Sequence, residues 1–140
     1  MYIDSDLVVS GTRSTAGVWT GQTINTNEVS DYSIDLTSTK NLSKGKQLYM
    51  VIVVTTAFTV STVNFQVITA TGEDLTGTVT VQMETGVIPY ASLTQYMAPI
   101  VIPIGSVLGT EQRYLGLRYV LATGGSETGI VVAFVAFDAP

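Results

Sequence analysis

Arg113-Tyr114-Leu115-Gly116-Leu117-Arg118-Tyr119-Val120-Leu121-Ala122 is followed by Thr123-Gly124-Gly125-Ser126-Glu127-Thr128-Gly129 and then by Ile130-Val131-Val132-Ala133-Phe134-Val135-Ala136-Phe137. The first run puts Leu115, Leu117, Tyr119 and Leu121 on one face of an extended chain. Tyr114, Gly116, Arg118 and Val120 fall on the other. The last run is apolar on both faces. Ile130, Val132, Phe134 and Ala136 point one way, and Val131, Ala133, Val135 and Phe137 the other. The glycine-rich stretch between the two reads as a hairpin connection.

The same period of two recurs upstream. Residues 48–56 form a continuous β-branched run, the pattern of a strand buried on both faces. Val63, Phe65 and Val67 alternate with Asn64 and Gln66. Thr71-Gly72-Glu73-Asp74 reads as a turn, after which Val79, Val81 and Met83 point inward. Ile100, Ile102 and Ile104 share a face bracketed by Pro99 and Pro103, so that strand is expected to lie at a sheet edge or to begin one, since proline cannot donate to a central ladder. Tyr32, Ile34 and Leu36 mark a shorter strand.

Composition agrees. Thr (21), Val (19) and Ile (10) make up 50 of the 140 residues, and β-branched side chains favour the pleated sheet over the helix. The expected fold is all-β: an antiparallel two-sheet sandwich or jelly roll of about seven or eight strands. Residues 31–140 form the sandwich. Residues 1–30, weakly periodic and rich in punctuation such as Ser10-Gly11-Thr12, read as an extended N-terminal arm of the same domain.

The chain has no cysteine and no histidine. That excludes disulfides, Cys/His zinc sites and nucleophiles served by an imidazole base. A net charge of −5 and a pI near 4.3 argue against nucleic acid as a partner. The acidic N-terminus predicts no secretory signal, and no apolar run approaches the roughly 20 residues of a membrane-spanning helix. The adjacent Glu73 and Asp74 read as a solvated hairpin tip. No catalytic, metal or cofactor set stands out, and the expectation is a protein that is not an enzyme.

Three features point to partners instead. The extended arm carries Tyr2, Asp4 and Asp6. Lys40, Lys44 and Lys46 hold all of the lysines within seven residues, as a solvated turn or a contact patch. The doubly apolar strands at 48–54 and 130–137 need a second cover, the arm or another copy of the chain. Trp19, Val131, Val135 and Phe137 are therefore candidates for an oligomer interface. Arg113 and Arg118 lie on opposite faces of one strand and cannot share an anion; Arg118 is expected to pair with an acidic neighbour or to stack on Tyr114.

Several segments together resemble the capsid cement proteins of tailed bacteriophages, of the Bordetella-phage type. They are Met1-Tyr2-Ile3-Asp4, Ser33-Ile34-Asp35-Leu36, Leu48-Tyr49-Met50-Val51-Ile52-Val53-Val54, the strand from Arg113 with its Ala122-Thr123-Gly124 turn, and Ala133-Phe134-Val135. Residues 57–98 match by pattern alone. The resemblance implies a jelly-roll decoration protein, a homo-oligomer (dimer or trimer) made in the host cytoplasm. It implies binding to the outside of an icosahedral shell, where the protein bridges capsomers of the major capsid protein. It assigns no contact residues; Tyr2, Asp4, Asp6, Lys40, Lys44 and Lys46 are contact candidates on physical grounds. The other reading is a carbohydrate-binding jelly-roll module of a phage tail or surface protein.

Overall fold

The computed structural model describes residues 5–12, 20–36, 47–59, 62–104, 112–122 and 129–137. A 3₁₀ turn, Ser5–Leu7, leads into β1 (Val8–Ser10), β2 (Gln22–Ile24), β3 (Glu28–Val29) and β4 (Ile34–Asp35). The long strands follow: β5 (Leu48–Thr56), β6 (Thr62–Ala70), β7 (Val79–Pro89), β8 (Ile100–Ile104), β9 (Tyr114–Leu121) and β10 (Gly129–Ala136). There is no α-helix among the described residues.

All pairings are antiparallel and fall into two sheets. One has the order β1-β10-β5-β8, with β2 also on β10; the other has β3-β9-β6-β7, with β4 also on β9. β9 and β10 are therefore not a hairpin, contrary to the sequence reading. Each lies inside its own sheet, β9 between β6 and the short β3 and β4, β10 between β5 and the short β1 and β2. Separating them gives each sheet its own interior strand with an apolar inner face, and the two bury those faces against each other.

The inner faces build the main core. Met50, Ile52 and Val54 of β5 meet Phe65 and Val67 of β6, Leu115, Leu117 and Tyr119 of β9, and Val131, Ala133 and Val135 of β10. Phe58 and Phe65 pack edge to face with centroids 6.4 Å apart, and Phe65 and Tyr119 likewise at 5.8 Å. The Tyr119 hydroxyl reaches across to the other sheet and shares a hydrogen bond with Ser10 Oγ. Both residues are fully buried, and burial pushes the phenol pKa well above its ordinary value. Gly129 makes room for this stack: a Cβ there would lie 2.5 Å from the Phe58 ring.

Val131 and Val135 thus belong to the chain's own core, which removes them as interface residues. The opposite face of β10 is also buried. Val132, Phe134 and Ala136 cluster with Val8 and Val51, so the second apolar face is covered within a single chain. The excess of apolar strand faces then gives no reason for a partner copy. Phe137, at the end of β10, is 54% exposed.

The first thirty residues are not a free arm where they are described. β1, β2 and β3 complete the two sheets, and Val8, Val9, Ser10 and Ile24 are fully buried. Strands of two or three residues carry too little periodicity to be read as strands from sequence.

Candidate interaction surfaces

The strand order sorts the connections between two ends of the sandwich. One end carries the β6–β7 turn, the end of β10, the start of β5 and the start of β9. The other carries the β5–β6 connection and the segment from Tyr90 to Pro99.

Charge collects at the first end. Asp6 is exposed in the 3₁₀ turn that enters β1. Glu73 and Asp74 are exposed at the β6–β7 tip, where the Asp74 carboxylate accepts hydrogen bonds from the backbone N–H and hydroxyl of Thr76. This lowers its pKa. Arg113 forks onto Asp35, with Nε and Nη2 each 2.5 Å from a carboxylate oxygen. Both side chains are nearly half exposed, so the pair contributes little to stability.

Leu36 and Gln47, which flank the lysine-bearing segment, also sit here: the Leu36 N–H donates to the Arg113 carbonyl, and Gln47 Nε2 to that of Ile104. Tyr2, Asp4, Trp19, Lys40, Lys44 and Lys46 lie outside the described residues. The structure therefore brings Asp6 and the flanks of the lysine segment to one end.

The cation–π contact is not the one expected from sequence. Arg113, not Arg118, lies over the Tyr114 ring, 5.5 Å from its centroid. Arg118 instead donates from Nε to Gln66 Oε1 at 2.8 Å on the outer face of the second sheet. Gln66 Nε2 and Asn64 Nδ2 both donate to Glu84 Oε2. Carboxylate, amide and guanidinium thus form a row across β7, β6 and β9, a cross-strand polar ladder.

The donors Asn64 and Gln66, helped by the charge of Arg118, hold the Glu84 pKa below its ordinary 4.5. A lowered carboxyl pKa contributes stability that is present above 4.5 and is lost as pH falls through the lowered value. Glu84→Gln should therefore unfold with a shallower loss of thermal midpoint below pH 4.5 than the wild type. An unchanged acid limb in thermal scans would show that the ladder does not titrate with folding.

The side wall of the sandwich differs from the charged end. It is made by β7 and β8, the edge strands of the two sheets, and by the connection between them. The sequence reading has Val81 and Met83 pointing inward, yet they are 38% and 39% exposed. β7 has two irregularities in its pairing with β6, one between Met83 and Val81 and one between Val87 and Glu84; the first sets Val81 opposite Ile68 on the outer face, while Met83 stays opposite the core residue Val67 and is exposed because β7 ends the sheet. Each inserts an extra residue and turns the strand. At the second, Gly86 takes φ +76°, and the Thr85 hydroxyl accepts the Phe65 N–H that the ladder leaves over.

Val87 is 69% exposed, Tyr90 47% and Tyr96 72%. Leu93, fully buried, anchors the connection in the core, and Tyr96 donates its N–H to the Val54 carbonyl. Tyr96 is held at φ +52°, a left-handed conformation that costs a non-glycine residue roughly 1–2 kcal/mol. These residues escaped the sequence reading. One signal was available: residues 85–110 contain no charged residue at all.

The fold and its surfaces define an all-β, two-sheet protein with charge gathered at one end and a tyrosine-bearing side wall. Residues 18–135 match the Bbp16 family, and the chain belongs to it. The family name suggests a Bordetella phage protein. No curated protein matches the chain.

Proposed function

We propose that the chain is a capsid cement protein with a jelly-roll fold, not an enzyme. It acts as a homo-oligomer that binds the outer surface of an assembled phage shell and bridges neighbouring capsomers of the major capsid protein. Membership of the Bbp16 family carries the reading. The strand order supports the jelly roll: from β4 onward every connection except the β6–β7 turn passes between two sheets ordered β1-β10-β5-β8 and β3-β9-β6-β7. The charged end, with Asp6 exposed, suits attachment at a polar contact.

The mechanism is mass action. A protein that binds the assembled lattice and not its separated parts stabilises the lattice by about 2.7 kcal/mol per site at a hundred times the dissociation constant. Bridging two capsomers adds effective concentration.

The test is sedimentation of expanded shells, lacking the protein, with the purified chain. Saturable co-sedimentation and a higher shell disruption temperature are expected; shells that stay bare at saturating protein would end the proposal. Replacing Lys40, Lys44 and Lys46 by glutamine should weaken decoration and flatten its salt dependence, the sign of charge contacts at a rim. Occupancy unchanged at every salt concentration would assign the lysines to solvent.

A further inference from the structure

We infer that the connection from Tyr90 to Pro99, at the end of the sandwich opposite the charged one, is a recognition tip for a neutral carbohydrate. The backbone of this segment is fixed. Leu93 is fully buried in the core. Its N–H donates to the Tyr90 carbonyl, and its own carbonyl accepts the Phe58 N–H. The Tyr96 N–H donates to the Val54 carbonyl and the Met97 N–H to that of Thr94. The segment is thus pinned to β5 and to the residues that follow β5.

The side chains on this fixed backbone are uncommitted. Tyr90, Ser92, Thr94, Gln95 and Tyr96 are all exposed, and none of these five side chains makes a hydrogen bond within the chain. Other polar groups at the surface behave differently. Asn64, Gln66, Glu84 and Arg118 bond to one another across the outer face of the second sheet. Thr71, Asp74 and Thr76 hold the β6–β7 turn together. Tyr96 also sits at φ +52° with its ring in solvent. A left-handed non-glycine residue is an outlier of the kind that clusters at ligand clamps.

The ligand class follows from what the tip offers and lacks. Residues 85–110 contain no charged residue. On a chain of net charge −5, that disfavours phosphate, nucleic acid and acidic sugars, which call for a basic site. A basic peptide finds no carboxylate here. A stable protein contact takes about 20–30 residues a side, and the segment has far fewer. Two exposed tyrosines among hydroxyls and an amide suit a small, neutral, hydroxyl-rich ligand. The ring of tyrosine supplies an apolar face for the C–H side of a pyranose and a hydroxyl at its rim. Serine, threonine and glutamine supply donors and acceptors for the sugar hydroxyls. Tyrosine with small polar residues on a held loop is also the composition of antibody recognition loops. An open tip with few contacts binds weakly, with a dissociation constant on the order of 1 mM. β7 lies between this tip and the acidic β6–β7 turn, a span of roughly 30 Å. On the shell-binding reading above, a chain attached by its charged end presents the tip outward, and many copies on one particle add avidity.

The test is an array of immobilised neutral hexose and N-acetylhexosamine oligosaccharides probed with the purified full chain. The sugar retained best is then titrated in free form by NMR. Saturable binding that does not change with salt is expected. Tyr90→Ala and Tyr96→Ala alter rings already in solvent, so each should keep the wild-type unfolding transition and raise the dissociation constant at least about tenfold. Tyr96→Phe should retain most of the binding, because stacking uses the ring. Thr23→Ala, at an exposed position of β2, should change nothing. An array that stays blank overturns the inference. So does binding indifferent to both alanine variants, or binding confined to anionic sugars. Alanine variants that lose co-sedimentation with shells, from a wild type that binds no sugar, would make the tip a shell contact and end the carbohydrate reading. Sugar binding by a chain that leaves shells bare would spare this inference and end the cement proposal.

Discussion

A chain lacking residues 1–10 will not fold. The deleted segment ends in β1, whose three residues are fully buried and point into different environments. Val9 enters the core between the sheets, and Val8 joins the cluster on the outer face of β10. Burying a valine is worth at least about 1.5 kcal/mol, so the two together supply roughly 3 kcal/mol or more. Losing Ser10 strands the Tyr119 hydroxyl in the core without its partner, at a cost of about 1–3 kcal/mol. β10 also loses pairing at Ala133 and Phe134, and Phe134 loses its neighbour Val8. The sum is comparable to the whole stability of a typical domain, about 5–15 kcal/mol. Circular dichroism in the near ultraviolet should lose its tertiary signal, and denaturant unfolding its cooperativity. A truncated chain that unfolds like the wild type would return β1 to the status of a detachable arm. Val9→Asp, which places a carboxylate between the two sheets, should act in the same direction without shortening the chain.

That outcome bears on function. A contact role for the N-terminus cannot use residues 8–10, which are already committed to the sandwich. Asp6, exposed just before them, is the candidate there that the described structure leaves open. Loss of decoration after deleting the first ten residues would consequently be uninformative, and substitution of Asp6 alone is the cleaner probe.

The long strands were legible in the sequence because their patterns are local. β5 and β8 fall at the expected residues, and the inner faces of β6 and β9 follow from strict alternation through Phe65 and Tyr119. Pro99 and Pro103 correctly placed β8 at an edge. Three kinds of information were not local. The glycine-rich segment after β9 signals a turn, but nothing in it says whether the chain returns beside β9 or crosses to the other sheet. A doubly apolar strand such as β10 shows that both faces are covered, but not that its own chain covers both. Irregular pairing in β7 and its place at the sheet edge depend on the neighbouring strands: Val81 is shifted to the outer face and Met83 is left uncovered at the edge, though both keep an inward-looking pattern. The side wall was missed for a related reason: exposure of Val87, Tyr90 and Tyr96 is set by which strand ends the sheet, and only the absence of charge around them was written in the chain.

Phe65→Ala should cost the folded protein about 4 kcal/mol, within the range for truncating a buried aromatic ring. Phe65 has no exposed surface, and it is the middle member of the stack that runs from Phe58 to Tyr119. Removing it leaves both neighbours facing a void between rigid sheets, where paired backbones on either side limit collapse. Each edge-to-face ring pair that the substitution breaks is worth about 0.5–1.5 kcal/mol beyond area alone. For a chain of this size the loss lowers the thermal midpoint by roughly 10–20 °C. Denaturant unfolding should show a lower midpoint with an unchanged slope, because the same surface is exposed on unfolding. Phe65→Leu, which refills most of the space, should recover more than half of the difference. A loss below about 1 kcal/mol would mean that the sheets close over the gap and that the stack does not hold them in register. All three rings are buried and offer no surface to a partner. At temperatures where Phe65→Ala remains folded it should therefore self-associate and decorate shells as the wild type does, and a selective failure of either would show that those surfaces depend on the core behind them.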